Sequence, residues 1–377
     1  MKILIAPDSF KESLSAVEVA ECIEQGIKNY RPDIECIKIP LADGGEGTVE
    51  TILHAIGGEK IPLRVKDPLL REIDSYWGLL PDKETAILEM ATASGLELVS
   101  PSERNPMITS TFGTGQLIQS ALDRNCRTIY IGIGGSATND GGAGMAKALG
   151  ARFMDKKGRE VNDGGTYLSN IHHIDLSQFD HRVSKCEIIV ISDVQNPMCG
   201  ENGASYIYGP QKGADPEMVK KLDFNLQHFG ELLEKKFNKK IITIAGAGAA
   251  GGLGAGLVAF CNADIQPGFE TFSEITKIED YIQEADLILT GEGKLDYQTK
   301  FGKVPYGIAQ LSRKYNKPVI GIAGSLGEGY EELYEYGFQS IISIMEGPIT
   351  LEEAIKNSRK LILNSAESII RMISMRI

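Results

Sequence analysis

Several signatures of familiar enzyme classes are missing from this 377-residue chain. It contains no GxxxxGK[ST] phosphate loop and no HRD or DFG motif, so it is neither a P-loop enzyme nor a protein kinase, and it has no GxSxG motif. Histidine is scarce: of five, only His172 and His173 are adjacent, and no third ligand stands at metal spacing. A zinc site or a histidine-based triad is therefore poorly supported.

Basic charge, paired cysteines and long apolar segments are also lacking. The net charge of −12 argues against binding to nucleic acid or to an anionic membrane surface. Six scattered cysteines show no metal-like pairing, which is typical of a reducing compartment. The longest uncharged stretch, residues 241–261, contains six glycines and is a poor membrane helix. We expect a cytoplasmic monomer or homodimer with no nucleic-acid or membrane partner.

Glycine, in contrast, is abundant and gathers in loops that follow predicted strands. It makes up 42 of 377 residues, about 11% against the usual ~7%. Four strand-like runs open into glycine-rich loops at residues 42–48, 134–144, 246–256 and 290–296, and three of these loops contain a carboxylate. Glycine permits close backbone approach, and a following helix N-terminus suits an anion. We predict that the loops at 43–48 and 134–144 present N–H groups to ligand oxygens.

Strands alternate with helices at both ends of the chain, which predicts a parallel sheet covered on both faces. Ser15 and Glu18 form a capping box that starts the first helix. The middle differs, because residues 60–93 indicate antiparallel strands with turns at Asp67-Pro68 and Pro81-Asp82. Further strands are predicted near residues 128–133, 187–192 and 241–245.

The economical interpretation is a two-domain α/β fold. A discontinuous Rossmann-like domain with a parallel sheet would comprise residues 1–62 and 284–377. A second α/β domain, residues 63–283, would be inserted into it. The active site would lie in the interdomain cleft, where ligands bind in such folds.

One segment matches the dinucleotide-binding fingerprint GxGxxG. Gly246, Gly248 and Gly251 have the required spacing after a predicted strand. The expected second strand with an acidic end is missing, since Asp264 lies in a loop-like segment. An NAD-dependent oxidoreductase of a hydroxy acid stays open as an alternative. So does a non-catalytic sugar-acid sensor, although no output module is evident.

Charged side chains at predicted strand ends fit phosphoryl transfer better. Lys11 follows the first strand, and Lys294 and Lys303 follow another parallel strand, so both loops lie at the ligand-binding edge. That chemistry needs cations, Mg²⁺ held by carboxylates, and a base for the attacking hydroxyl. The candidate carboxylates are Asp8, Asp43, Glu46, Asp140, Asp193, Glu292 and Asp296. Asp193 is the best candidate base, because it ends the apolar run EIIVIS before a turn.

Eight motifs, in order along the chain, resemble the type I glycerate kinases. They are DSFKESLSA, PLADGGEGT, ERNPMITSTFGTG, GIGGSATNDGGAGM, SDVQNPMCGENGAS, YGPQKGA, GAGAAGGLGAG and TGEGKLDYQTKFGKVP. The resemblance implies ATP- and Mg²⁺-dependent phosphorylation of D-glycerate, usually to 2-phosphoglycerate, although some members are described as 3-phosphoglycerate producers. It also implies a two-domain α/β fold outside the P-loop, actin-like and protein-kinase classes.

Two positions depart from the pattern of that family. Lys294-Leu295 stands where Arg-Ile is common, and a lysine does not form the bidentate fork of arginine. Leu70 replaces a glycine that is frequent before Arg71, which affects where Arg71 is placed.

The predicted active site combines these arguments. Asp193 would accept or orient the substrate hydroxyl, and Lys11 and Lys294 would neutralise the phosphoryl group or the glycerate carboxylate. Asp43 or Asp296 would hold Mg²⁺, directly or through water. Glycerate and ATP would contact Ser9, Asp43, Gly44, Gly45, Glu46, Arg71, Gly134, Gly135, Ser136, Asn139, Asp140, Gly291 and Glu292. The expected role is organic-acid phosphorylation in glycerate or glyoxylate catabolism.

Overall fold

A computed structural model describes residues 1–42 and 44–375, in which helices and mostly parallel strands alternate in the predicted α/β manner. The strands are β1 (Lys2–Ile5), β2 (Glu35–Lys38), β3 (Glu59–Lys66), β4 (Glu72–Leu79), β5 (Thr85–Glu89), β6 (Thr128–Gly132), β7 (Arg152–Met154), β8 (His173–Asp175), β9 (Glu187–Ile191), β10 (Asp264–Gln266), β11 (Leu287–Leu295), β12 (Val319–Leu326) and β13 (Phe338–Ser343). The α-helices are α1 (Ala16–Tyr30), α2 (Thr48–Ile56), α3 (Ala91–Ser94), α4 (Phe112–Asp123), α5 (Ala143–Ala148), α6 (Ala204–Tyr208), α7 (Pro216–Phe237), α8 (Ala249–Phe260), α9 (Gly268–Thr276), α10 (Ile278–Glu284), α11 (Val304–Lys314) and α12 (Leu351–Ile373).

The first compact unit contains both ends of the chain. It comprises Met1–Asp43, Glu50–Gly57 and Pro267–Ile377. Its five-stranded sheet has the order β13-β12-β11-β1-β2, and every neighbouring pair is parallel. Counted along this sheet's own strands, the order is 2-1-3-4-5, so the direction of winding reverses between β1 and β11. Such a topological switch point is where doubly wound sheets bind ligands.

Helix α1 begins where the sequence predicts. The Glu18 N–H donates to Ser15 Oγ at 3.3 Å, and the Ser15 N–H donates to Glu18 Oε2 at 2.9 Å, which completes the capping box. The apolar face of α1, including Val19 and Ile23, is buried in a core shared with the sheet and with α12. Local capping and one buried stripe therefore suffice to position this helix.

The second compact unit comprises Gly44–Val49 and Gly58–Gln266. Its six-stranded sheet has the order β10-β9-β6-β5-β4-β3. The neighbours from β5 to β10 are parallel, whereas β3, β4 and β5 pair in antiparallel fashion, which confirms the prediction for residues 60–93. The spatial order follows the chain order, so the described strands of this sheet contain no switch point.

The predicted strand at residues 241–245 is wrong. The segment forms a turn instead, in which the Ile244 N–H donates to the Ile241 carbonyl. The Ile242 carbonyl accepts a hydrogen bond from the Met198 N–H. The edge of the sheet is formed by β10, which pairs with β9. An apolar run before glycine indicates a strand, but residues 241–245 form a turn instead. The strand that pairs with β9 at this edge consists of the three residues before Pro267.

Among the residues that the structure describes, no helix is long and apolar enough to cross a bilayer. The glycine-rich stretch at 241–261 contains α8, which is buried along its length. Its small side chains permit close packing inside the second unit.

All six cysteines are free thiols. Burial raises the pKa of each thiol, to about 11 at Cys36 and Cys126 and to about 12 at Cys186, Cys199 and Cys261. Cys22, Cys126, Cys199 and Cys261 are buried, whereas Cys36 and Cys186 are half-buried. The raised pKa values make all six thiols weak nucleophiles.

Candidate active site

A first group of predicted residues lies at the switch point of the five-stranded sheet. Asp8 and Ser9 follow β1, and the Asp8 N–H donates to the Gly291 carbonyl on β11 at 2.8 Å. The Lys11 ammonium interacts electrostatically with Glu292. The structure thus brings together residues that are almost 300 positions apart in the sequence. We call this set the switch-point cluster: Asp8, Ser9, Lys11, Gly291, Glu292, Lys294 and Asp296.

Glu292 is the buried acid of the switch-point cluster. Its Oε1 accepts a hydrogen bond from Thr299 Oγ1 at 2.9 Å, and its Oε2 lies 3.2 Å from Lys303 Nζ. Burial raises the pKa of Glu292, while the ammonium groups of Lys303 and Lys11 act in the opposite direction. A carboxylate balanced in this way responds to any further charge that binds nearby.

Lys294 and Asp296 form an ion pair of 2.9 Å at the end of β11. Burial acts to raise the pKa of Asp296, but the Lys294 ammonium and the Gln298 N–H lower it below its usual value. Lys294 is exposed, and the pair raises its pKa. Asp296 also caps the short 3₁₀ helix Tyr297–Lys300, so its carboxylate is fixed in place.

The described residues offer few side chains that could bind a magnesium ion together. In residues 1–42 and 44–375, no three side chains of histidine, cysteine, aspartate or glutamate are grouped to hold a metal ion. Asp43, one predicted ligand, lies outside the described residues. Mg²⁺ commonly takes one or two protein carboxylates together with phosphate oxygens and water. Asp296 therefore fits as a single ligand, in competition with Lys294.

In the second unit, the two glycine-rich loops pack against each other. The Gly134 N–H donates to the Gly44 carbonyl at 3.2 Å. A Cβ atom on Gly134 would lie 2.7 Å from the Cα of Gly45, and one on Gly132 would lie 2.5 Å from the Gly44 oxygen. Glycine is required here because two backbones meet. Gly135 and the Glu46 side chain are exposed beside this contact.

Glu89 organises the first of these loops, and the sequence analysis missed it. It ends β5, is almost fully buried, and accepts hydrogen bonds from the N–H groups of Gly47 at 3.1 Å and Val49 at 2.5 Å. A carboxylate at this position stabilises the N-terminus of α2. These N–H groups thus donate to the protein itself. The signal was available, because Glu89 closes an apolar strand.

Asp140 and Asn139 anchor the second loop from inside. Asp140 accepts hydrogen bonds from the Thr111 N–H at 2.8 Å, from Thr111 Oγ1 at 2.9 Å, and from the N–H groups of Gly142 and Gly144 at 3.1 Å. Burial raises the pKa of Asp140 despite these donors. Asn139 Oδ1 accepts from Ser205 Oγ at 3.2 Å. Both side chains are fully buried and order the loop in this structure.

The glycines at 246–256 also serve packing. Gly251 has a φ of +67°, and a Cβ atom there would overlap the Thr138 carbonyl oxygen. The Gly141 N–H donates to the Gly251 carbonyl at 3.1 Å, and a Cβ atom on Gly252 would lie 3.0 Å from the Gly141 Cα. With no strand before it, the GxGxxG match is not a dinucleotide fingerprint.

Lys212, a second residue that sequence analysis missed, lies beneath the same loop. Its side chain is 1% exposed, and Nζ donates to Ser136 Oγ and to the Thr138 carbonyl, each at 2.7 Å. It ends the 3₁₀ turn Pro210–Lys212, which Gly213 terminates with a φ of +94°. Burial lowers the pKa of Lys212 to about 7, opposed by the charge of Asp140. Nothing local in the sequence marks a lysine as buried.

Asp193 lies two residues beyond the end of β9 and is exposed. The strand therefore ends near the predicted position and leaves the carboxylate at the carboxyl edge of the six-stranded sheet. This is the placement expected of a group that meets a ligand.

Arg71 is held by Asp67 in the turn between β3 and β4. Its N–H donates to Asp67 Oδ1 at 2.8 Å, and its Nε donates to Oδ2 at 2.5 Å. Leu70 adopts a φ of +63°, the left-handed conformation that glycine favours. A leucine in this conformation stores strain in the turn.

Comparisons with known proteins agree over nearly the whole chain. Residues 3–374 match the glycerate kinase family. A glycerate kinase of Haemophilus influenzae is 46% identical over 99% of both chains, and the glycerate 2-kinase of Escherichia coli is 46% identical over 98% of this chain and 97% of that protein. A crystal structure described as glycerate kinase 2 from Salmonella typhimurium aligns with 99% of this chain and 98% of its own chain, with 47% identity and a TM-score of 0.88.

Proposed function

Because the chain belongs to the glycerate kinase family and is therefore a phosphotransferase, we propose that it transfers the γ-phosphoryl group of ATP to D-glycerate. The observation that supports this most directly is the switch-point cluster. Lysines and buried carboxylates meet there at the edge where doubly wound sheets bind ligands. The name of the Escherichia coli relative favours the 2-hydroxyl as acceptor.

The proposed reaction needs a base, cations and a shielded site. The Asp193 carboxylate takes the proton of the attacking hydroxyl as its oxygen bonds to the γ-phosphorus and the bond to the ADP oxygen breaks. Lys11 and Lys294 neutralise negative charge on the transferred group. Mg²⁺, bound with the nucleotide, would supply further neutralisation of the phosphates, with Asp296 as its protein ligand.

In this proposal Asp193, Lys11 and Lys294 act on the ligands, and the buried side chains of Glu89, Asn139 and Asp140 order the loops. The proposed cellular role is organic-acid phosphorylation in the cytoplasm. The location is supported by the six unpaired thiols, which are typical of a reducing compartment.

Phosphorus NMR of the purified protein with ATP, Mg²⁺ and D-glycerate tests the proposal. A new phosphomonoester resonance split by one proton would identify 2-phosphoglycerate, and splitting by two protons would identify the 3-isomer. A reaction without protein and one with a chelator serve as controls. If folded protein transfers no phosphoryl group to glycerate, the proposed substrate is wrong.

Asp193→Asn tests the base. The substitution keeps the shape of the side chain but removes its proton affinity, so we expect turnover to fall by about 10² or more. The melting temperature should stay unchanged, because the side chain is exposed. Turnover close to that of the wild type would exclude Asp193 as the base.

A further inference from the structure

We propose that Lys212 is a positioning residue that fixes the hydroxyl of Ser136 as a hydrogen-bond donor to an anionic oxygen of the substrates. The inference rests on the proposed function and deepens it, because it assigns a role to a residue outside the predicted site. The two possible sources of such an oxygen are the glycerate carboxylate and the phosphates of ATP.

Burying the ammonium group of Lys212 costs folding free energy, which suggests that the charged head has a function. Lysine is rarely buried completely, and an ammonium group needs compensation when it leaves water. Here the two described hydrogen-bond acceptors of Nζ are neutral oxygens, on Ser136 and Thr138, and the charge of buried Asp140 offsets part of the cost of burial. An apolar side chain of similar size would fill this space at lower cost. The position therefore points to a function for the polar head.

The chemistry of the ammonium group determines how the Ser136 hydroxyl is used. In its protonated form Lys212 has donors only, so Ser136 Oγ accepts from the ammonium group and directs its own proton elsewhere. In residues 1–42 and 44–375, the structure shows no acceptor for that proton. Ser136 is 9% exposed and adjoins exposed Gly135, so the hydroxyl has limited access to solvent. A charge-polarised hydroxyl of this kind suits a carboxylate or phosphate oxygen.

The backbone around Ser136 is held by other contacts. The Ala137 N–H donates to the Ser94 carbonyl at 3.0 Å, and the Leu96 N–H donates to the Gly135 carbonyl at 2.8 Å. The loop is therefore anchored on both sides of Ser136 without Lys212. Loss of the lysine should change the direction of the hydroxyl more than the course of the chain.

A double-mutant cycle tests this role. Ser136→Ala, Lys212→Met and the double variant are compared by their separate KM values for D-glycerate and for ATP. We expect Ser136→Ala to raise one KM by about tenfold, the size of one hydrogen bond to a charged group. Lys212→Met should raise the same KM, and the double variant should exceed Ser136→Ala by no more than about twofold. The KM that rises identifies the carboxylate or the phosphate as the source of the oxygen.

Three further variants and measurements separate this role from a structural one. Lys221→Met removes an exposed lysine and should change neither KM. Should Lys212→Met not fold, as shown by its melting curve, Ser136→Thr is the deciding variant. It retains a hydroxyl and should keep KM within about threefold, whereas Ser136→Ala should not.

Two results would overturn the inference: unchanged KM values in Ser136→Ala, or effects of Lys212→Met and Ser136→Ala that multiply. If Lys212→Met does not fold, an equal rise of KM in Ser136→Thr and Ser136→Ala would also overturn the inference. A wild-type protein without any activity on glycerate would instead refute the proposed function, so the two failures are distinguishable.

Discussion

Both sheets contain strands that end in glycine-rich segments, but the side chains around these segments differ between the two sheets. In the five-stranded sheet, the glycine-rich segment of β11 lies at a switch point and contains Glu292 and Lys294, and Asp296 follows it directly. In the six-stranded sheet, which has no switch point among its described strands, the glycines bring backbones into contact and the carboxylates of Glu89 and Asp140 bind internal N–H groups. A glycine-rich segment at the end of a strand thus indicates close approach of two backbones in both sheets, because a Cβ atom on Gly291 would also overlap the Ile322 carbonyl of β12. The sheets differ in the charged side chains that surround these glycines.

The largest effect should come from breaking the loop packing of the second unit. Gly251→Ala combines a φ of +67° with overlap against the Thr138 carbonyl, so we expect a loss of about 3–5 kcal/mol in the free energy of unfolding. Gly158→Ala is the matched control, since its φ is +75° and nothing lies within 4 Å of the added atom. It should cost only about 1 kcal/mol. Equal losses in chemical denaturation would contradict the packing role.

The first unit should show the reverse pattern. Lys294→Met removes a cation proposed to meet the phosphoryl group, so kcat/KM should fall by about 10²-fold. Stability should hardly change, because the pair with Asp296 is exposed on the lysine side. Steady-state kinetics and a melting curve measure both quantities, and Lys221→Met is again the surface control. A large loss of stability with normal kinetics would assign Lys294 to structure.

Stability should depend on pH through Lys212. Its pKa is about 7 in the folded chain and near 10.5 in the unfolded chain, so between these values the unfolded state binds more protons. The stability of the wild type relative to Lys212→Met should therefore increase with pH between about 7 and 10, by up to about 1.4 kcal/mol per unit. Urea denaturation at several pH values measures it. A flat difference would show that the buried amine does not titrate there.

The smallest effect concerns the turn before Arg71. Leu70 has a φ of +63° and is exposed, so Leu70→Gly relieves strain and loses little contact. The gain is reduced by the greater freedom of glycine in the unfolded chain, which leaves about 0.5 kcal/mol of stabilisation. Melting temperatures of the two proteins compare them. Destabilisation would indicate that the leucine side chain packs in the turn.

Features with a local cause were predictable from the sequence. The capping box of Ser15 and Glu18, the parallel strands of the first unit and Lys11 after β1 follow from spacing and strand ends alone. The loop predicted at residues 290–296 is wrong, because β11 continues to Leu295 and contains Lys294. The turn at 241–245, the short edge strand β10 and the burial of Lys212 depend on distant contacts. An apolar run before glycine has the same pattern in a strand and in a packed turn. Likewise, nothing in the local sequence YGPQKGA indicates that its lysine, Lys212, is buried.

The six thiols, four of them buried and two half-buried, make this protein a convenient background for attached probes. With pKa values of about 11 to 12 at five of the six sites, between roughly one thiol in ten thousand and one in a hundred thousand is ionised at neutral pH. A maleimide dye should therefore react mainly with a cysteine introduced on the surface, such as Glu352→Cys on α12. Fluorescence could then follow ligand binding on the otherwise unmodified chain, without first removing a native cysteine.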